Sequence, residues 1–258
     1  MPAALLEPKC PRESAIDVET YRRTGFLHLP GLIPSDLIAA AAAAADALPQ
    51  RHPELLVREN VRIEFADTKV WKWDPVVDIC PEIAVLARDP RILAVVRAIY
   101  DGREPRLFKD KLILKPPGSH GNGLHQDYTW WQGFPRTLVT VTIAIDGGTT
   151  ENGCTEIYPG MHTQGLLHEP GKIMHLPDAT VAGQPSHLFA SNPGDVAIFN
   201  CFAPHRAGEN RSTAARRQLF LTYNDGADGD LHAAHYRHML TYRVRDLPES
   251  ERASYFIR

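Results

Sequence analysis

The sequence predicts a mainly β protein with flanking helices, its strands folded as two packed sheets. Three observations carry that expectation. From Arg106 onward, short β-like runs alternate with Gly, Pro and Asn punctuation. Before Arg106 lie two helical stretches, one of them built largely of alanine. Strands and helices do not alternate in the βαβ rhythm that a parallel sheet needs.

Taken in order, residues 17–25 predict a short helix, with Val18 and Tyr21 at helical spacing and Gly25 as a C-cap. Residues 26–29 alternate as a strand that Pro30 and Gly31 stop. Ser35 is the expected N-cap of a helix running through the alanine stretch to about Leu48. A second helical region covers 81–100, where Ile83, Leu86, Ile92, Val95, Val96 and Ile99 supply apolar faces. Candidate strands follow at 107–115, 137–146, 154–158, 195–200 and 218–223. The segment 165–188 is poor in strand signals and rich in Gly, Pro and His; a loop of that length is a candidate active-site lid. Neither an internal repeat nor a linker divides the chain. One domain over 1–258 is expected, with helices over about 15–100 and the sheet core over about 106–225.

With 258 residues, 43% of them hydrophobic and 23% charged, the chain can bury a sizeable core. A net charge of −3, spread evenly, offers no footprint for nucleic acid or an anionic membrane. No apolar run approaches the roughly 20 residues of a membrane span. Residues 1–14 lack the basic flank and apolar stretch of a secretory signal. Cys10, Cys80, Cys154 and Cys201 include no CxxC pair, so reduced thiols in a cytoplasmic protein are expected. The expected partner is a small-molecule substrate, with the oligomeric state open.

The chemistry concentrates in Gly-Leu-His-Gln-Asp-Tyr-Thr-Trp-Trp over 123–131. On an extended strand, residues two apart share a face, so His125 and Asp127 project into one space. A facial triad for ferrous iron needs two histidines and one carboxylate on one side of the metal. His205, just after the expected strand 195–200, is the candidate third ligand. Arg216 follows eleven residues later. A guanidinium there suits the distal carboxylate of a dicarboxylate whose 2-oxo acid end chelates the metal. A lone His-x-Asp is a weak signal. The bland alternatives are a backbone-bonded loop histidine at 205, a surface ion pair at 216, and one core and one surface residue at Trp130 and Trp131.

Taken together, Lys-Pro-Pro-Gly at 115–118, His-x-Asp, Glu-Asn-Gly at 151–153, Pro-Gly-Met-His at 159–162, Gly-Asp at 194–195, His205, Asn210, Ser212 and the Arg216–Arg217 pair resemble the phytanoyl-CoA hydroxylase superfamily of iron(II)/2-oxoglutarate dioxygenases. Residues 21–33 resemble its opening segment. The resemblance implies a double-stranded β-helix, a cupin-like jelly roll. It implies Fe(II) held by His125, Asp127 and His205, 2-oxoglutarate as co-substrate on Arg216, and dioxygen as oxidant. It places Trp131 and Thr140 beside the co-substrate. The carboxylate at 127 disfavours halogenation, because halogenating relatives carry a small residue there. Met161 and Ala207 depart from a common serine without touching the ligand set.

Substrate residues are proposed from position alone. Lys109 and Lys111 share one strand face, which suits an anionic or polyhydroxylated molecule if that face turns inward and is a solvated face otherwise. Tyr128 and Trp130, with Trp131 and Phe134, offer aromatic surface beside the ligands. The expected activity is hydroxylation of a C–H bond in a small polar molecule of specialised metabolism. The alternatives are oxidative cyclisation of a saccharide-bearing natural product, a zinc hydrolase with the same ligands, and a cupin-like binding protein without turnover.

Overall fold

Residues 16–66 and 68–258 are described in the computed structural model; Cys10 and the 1–14 segment lie outside them. Asp17 accepts the Thr20 N–H at 2.9 Å and caps α1, Val18–Thr24. Gly25, at φ 68°, ends that helix in the left-handed region. β1, Phe26–Leu29, follows directly. α2 spans Ser35–Arg51, but its N-cap is Pro34 and no side chain caps it, so Ser35 is its first helical residue rather than its cap. Asp36 in the first turn supplies the negative charge that a helix N-terminus favours. The 81–100 region is two helices, α3 at Pro81–Ala87 and α4 at Pro90–Ile99. Pro90 lacks the N–H that would continue α3, and Asp89 caps α4 by accepting the Arg91 N–H at 2.9 Å.

β2, Ile63–Ala66, and β3, Lys69–Trp73, occupy a stretch with no strand expectation. They add the last two strands to one sheet edge. β4 runs Pro105–Lys115, β5 Asn122–His125, β6 Val139–Ala144 and β7 Thr155–Ile157. β8 is His187–Leu188, β9 Val196–Asn200, β10 His205–Ala207 and β11 Arg216–Asp225. Two helices that the sequence reading did not foresee, α5 at His232–Val244 and α6 at Glu249–Arg252, follow.

The large sheet has the order β1-β9-β6-β11-β4-β3-β2 and the small sheet β5-β10-β7-β8, with antiparallel pairing throughout. Strand periodicity sorts the two faces. Val141, Ile143, Ile198, Leu219 and Leu221 pack with Leu48, Ile83, Leu86 and Ile92 of the helices in the main core. Burying each such side chain contributes about 1.5–3 kcal/mol. The alternate residues face the small sheet, where Phe26, Ala144, Ile157 and Phe199 form a second core. Farther along the same inner face the residues turn polar: Thr140, Arg216, Gln218 and Thr222 are all buried. The two-sheet arrangement is the expected jelly roll, and its polar interior holds the site.

Cys80, Cys154 and Cys201 are buried free thiols. The segment 165–188 holds a 3-10 turn at Asp178–Val181 and β8 at its end. No described helix is long and apolar enough to cross a membrane.

Candidate metal centre

His125 ends β5, and Asp127 opens a 3-10 turn, Asp127–Trp130, rather than continuing the strand. Between them Gln126 stays extended, at φ −109° and ψ 134°, so the two side chains still share a face. Gln126 is locked there: its side-chain amide donates to Gly165 O and Phe202 O, each at 2.7 Å. His205 opens β10 and is the direct cross-strand partner of His125. That register brings a residue far along the chain opposite the first ligand.

The donor atoms of His125, Asp127 and His205 lie within 4.8 Å of one another, all three residues are buried, and together they could hold a metal ion. Both Nε2 atoms stand 3.8 Å from the same carboxylate oxygen, Asp127 Oδ1. Each imidazole pairs its other nitrogen with backbone: His125 Nδ1 with Gly123 O at 2.7 Å, His205 Nδ1 with Ala203 O at 3.0 Å. A neutral ring donating through Nδ1 leaves the Nε2 lone pair aimed at the metal position. Burial keeps the rings neutral. It pushes His125 down to about 3, with His205 adding to the fall and Asp127 opposing it, and it also lowers His205. Burial alone would raise the Asp127 carboxyl, but His205 and Lys111 outweigh it and hold the carboxyl below its ordinary range. Two neutral nitrogens and one carboxylate are the donor set of an open-sided ferrous site, so the residues fit the metal.

Thr140 stands behind Asp127. Its hydroxyl donates to Asp127 Oδ2 at 3.0 Å and pairs with Thr222 Oγ1 at 3.1 Å. It fixes the carboxylate and is absent from the cavity walls described below.

Two cavities meet at the triad. One, of about 240 Å³, is bordered by His125, His205, Lys115 and Arg216. Arg216 is buried, with no carboxylate ion pair among the described residues; the guanidinium donates to Gly153 O at 3.1 Å, to Asn152 O at 3.3 Å and to Gln218. Its cross-strand partner is Lys115, itself buried and donating to Gly208 O. Burial and the Arg216 charge push Lys115 down to about 8. Two like charges facing each other across a strand pair are unfavourable until an anion joins them. The second cavity, of about 310 Å³, is bordered by His125, Asp127, Lys109, Lys111, Trp130 and Trp131, among others.

The strand face shared by Lys109 and Lys111, for which the sequence left a solvated position open, borders this cavity. Lys109 is buried and Lys111 half-buried. Trp131 is buried in an aromatic cluster with Phe108, and Trp130 is half-buried with its ring 5.1 Å from that of His125. Tyr128 departs from the expectation. The 3-10 turn rotates it away from both cavities, against Phe202, with its hydroxyl donating to Phe134 O at 2.8 Å.

Several site residues escaped the sequence reading. Lys115 could have been found by strand parity, since it shares a face with Lys109 and Lys111. Asp74, Lys72 and Trp71 reach the second cavity from β3 and the turn after it, and Tyr242 and Arg243 reach it from α5. His175, from the 165–188 segment, also lines the second cavity, with its ring 5.7 Å from that of His125.

Residues 21–218 match the family described as phytanoyl-CoA dioxygenase. Among named relatives, methylphosphonate hydroxylase of Gimesia maris is 38% identical over 137 residues, covering 52% of this chain and 51% of that protein. The chain thus aligns with about half of that relative's length. Dioxygenase lolE1 of Epichloe uncinata is 28% identical over 90% of this chain and 91% of its own length. The crystal structure of EctD from S. alaskensis with 2-oxoglutarate and 5-hydroxyectoine superposes with a TM-score of 0.71 at 22% identity, covering 88% of this chain and 80% of that one, and is similar in fold. The chain belongs to the phytanoyl-CoA dioxygenase family of 2-oxoglutarate-dependent non-haem iron oxygenases.

Proposed function

We propose that this protein hydroxylates a C–H bond of a small polar molecule, with His125, Asp127 and His205 as the iron ligands and Arg216 as the anchor of 2-oxoglutarate. The observation that carries the reading is the pairing of a neutral two-histidine, one-carboxylate pocket with a buried arginine across the same cavity. When bound, ferrous iron supplies dioxygen activation coupled to decarboxylation of 2-oxoglutarate to succinate.

The chain's own residues do the rest. Arg216 and Lys115 bind and orient the distal carboxylate, which answers their mutual repulsion. Thr140 fixes Asp127 so that Oδ1 faces both imidazoles. The main-chain carbonyls of Gly123 and Ala203 hold the proton on each Nδ1. Trp130 and His175 line the second cavity with their rings in edge contact, and their bulk takes up space there that water would otherwise fill. A metal held by this triad would have Asp127 as a ligand, leaving no gap in the donor set for a halide, which favours hydroxylation over halogenation. The modest cavity volume supports a small substrate. Buried free thiols at Cys80, Cys154 and Cys201 support a reducing, cytoplasmic setting.

The test is substrate-stimulated succinate formation in a screen of small polar metabolites, read with heavy-isotope dioxygen. One labelled oxygen atom in the product and one in succinate is the expected result. Product formed without dioxygen or without 2-oxoglutarate would reject the reading.

A further inference from the structure

We propose that the substrate carries a compact oxyanion, a phosphonate, sulfonate or carboxylate, and that Lys111 holds it beside the metal centre; the inference rests on the oxygenase reading above. Three lysines, Lys72, Lys109 and Lys111, border the second cavity. Two of them are already answered. Lys109 Nζ lies 3.0 Å from Asp74 Oδ2, and Lys72 Nζ lies 3.5 Å from the same atom and 2.5 Å from Glu64 Oε1. Asp74 is fixed for this task, since Tyr236 donates to its other oxygen at 3.1 Å. Burial opposes its ionisation, but Lys109 and Lys72 outweigh that and hold it well below the ordinary carboxylate range.

Lys111 differs from both. Among the described residues it has neither an ion pair nor a hydrogen bond, and its ammonium sits over the Phe220 ring, 4.8 Å from the centroid. Asp127 is the acid that acts on it most strongly, and that charge would be committed to iron when iron is bound. A half-buried cation left this way is costly unless a ligand completes it. Lys111 also borders both cavities together with His125, which places its charge next to the metal position. The co-substrate's far carboxylate is answered by Arg216 and Lys115, so the Lys111 charge is left for the substrate. Trp71, Trp130 and Tyr242 supply the walls for a short organic remainder. Burial pushes the Lys111 ammonium down to about 8, Lys109 and Lys72 add to the fall, and an anion beside it would reverse the shift.

The experiment uses the iron- and 2-oxoglutarate-loaded protein without oxygen. It is titrated calorimetrically with methylphosphonate, methanesulfonate, propionate and, as the uncharged control, propionamide. At least one anion should bind about tenfold or more tightly than propionamide, and the ranking identifies the oxyanion. A charge-assisted hydrogen bond of ordinary strength implies that Lys111→Met weakens that anion about ten- to hundredfold. Lys111→Arg should recover part of the loss, which separates lost charge from misfolding. Three results would overturn the assignment: no anion preference in the natural protein, a preference that survives Lys111→Met, or a loss of 2-oxoglutarate affinity as large as the loss of anion affinity. Failure of the natural protein to bind 2-oxoglutarate at all would instead reject the oxygenase reading beneath it.

Discussion

Replacing Thr140 with Val tests whether the carboxylate ligand is pre-set by its neighbours. Valine keeps the shape of threonine and removes the hydroxyl that donates to Asp127 Oδ2 at 3.0 Å. Asp127 is buried, so the carboxylate oxygen that loses this donor is poorly placed to regain one from bulk solvent. A hydrogen bond to a charged group is worth about 1.5–3 kcal/mol, and loss of an outer-shell partner typically weakens metal binding by about 10–100-fold. The two ranges agree, because about 1.4 kcal/mol is tenfold. Ferrous affinity of Thr140→Val should therefore fall by one to two decades, measured by competition with a chelator under nitrogen. Thr140→Ser keeps the donor and should lose less than about threefold. The Thr222 hydroxyl, 3.1 Å away, loses a partner in the valine variant, so unfolding should shift down modestly in both the metal-free and the loaded protein. Unchanged ferrous affinity in a folded Thr140→Val protein would refute the idea that this hydroxyl holds the ligand in place.

Other outcomes follow from the same geometry. Arg216→Gln should raise the KM for 2-oxoglutarate by tenfold or more, and Arg216→Lys should recover little, because the planar fork is lost; a co-substrate KM unchanged in Arg216→Gln would remove Arg216 from that role. Gly153 sits at φ 71°, and a Cβ there would lie 2.3 Å from Gly208 O; Gly153→Ala should lower the melting temperature by several degrees and also raise that KM, since Gly153 O receives Arg216. Methanesulfonate binding should weaken as pH rises through about 8, where Lys111, faced by Asp127, Asp74, Lys109 and Lys72, gives up its proton. The sign follows because the bound anion favours the protonated amine, so binding takes up a proton above that pH. A titration showing flat affinity from about pH 7 to about pH 9.5 would contradict it.

The core strands were legible because β6, β9 and β11 alternate or run apolar between Gly and Pro signals. β5 and β10 were not, since strands of four and three residues, Asn-Gly-Leu-His and His-Arg-Ala, are too short to carry a periodic signal. β2 and β3 escaped for a related reason: charged residues such as Glu64, Lys69 and Lys72 break their apolar pattern. The convergence of His125, Asp127 and His205 was legible despite a wrong local picture. Asp127 lies in a 3-10 turn, yet an extended Gln126 preserves the shared face that a strand would have given. Tyr128 was misjudged by the same turn, which carries it to the opposite side. The wall from α5 was invisible, because His232, His235, Arg237 and His238 interrupt its apolar residues and leave that helix no clean apolar stripe. The pairing of Lys109 with Asp74 needed three dimensions, whereas the uncompensated Lys111 one strand pleat away is a consequence of it.

Ferrous binding and 2-oxoglutarate decarboxylation in Asp127→Ala, set beside the natural protein, test the centre of the account most directly. The natural protein should bind one ferrous ion per chain and release succinate only with iron, 2-oxoglutarate and dioxygen all present. The alanine variant should lose at least about a hundredfold in ferrous affinity and all measurable decarboxylation, because the only anionic donor is gone from a pocket of two neutral imidazoles. Full iron occupancy with undiminished succinate release in that variant would contradict it.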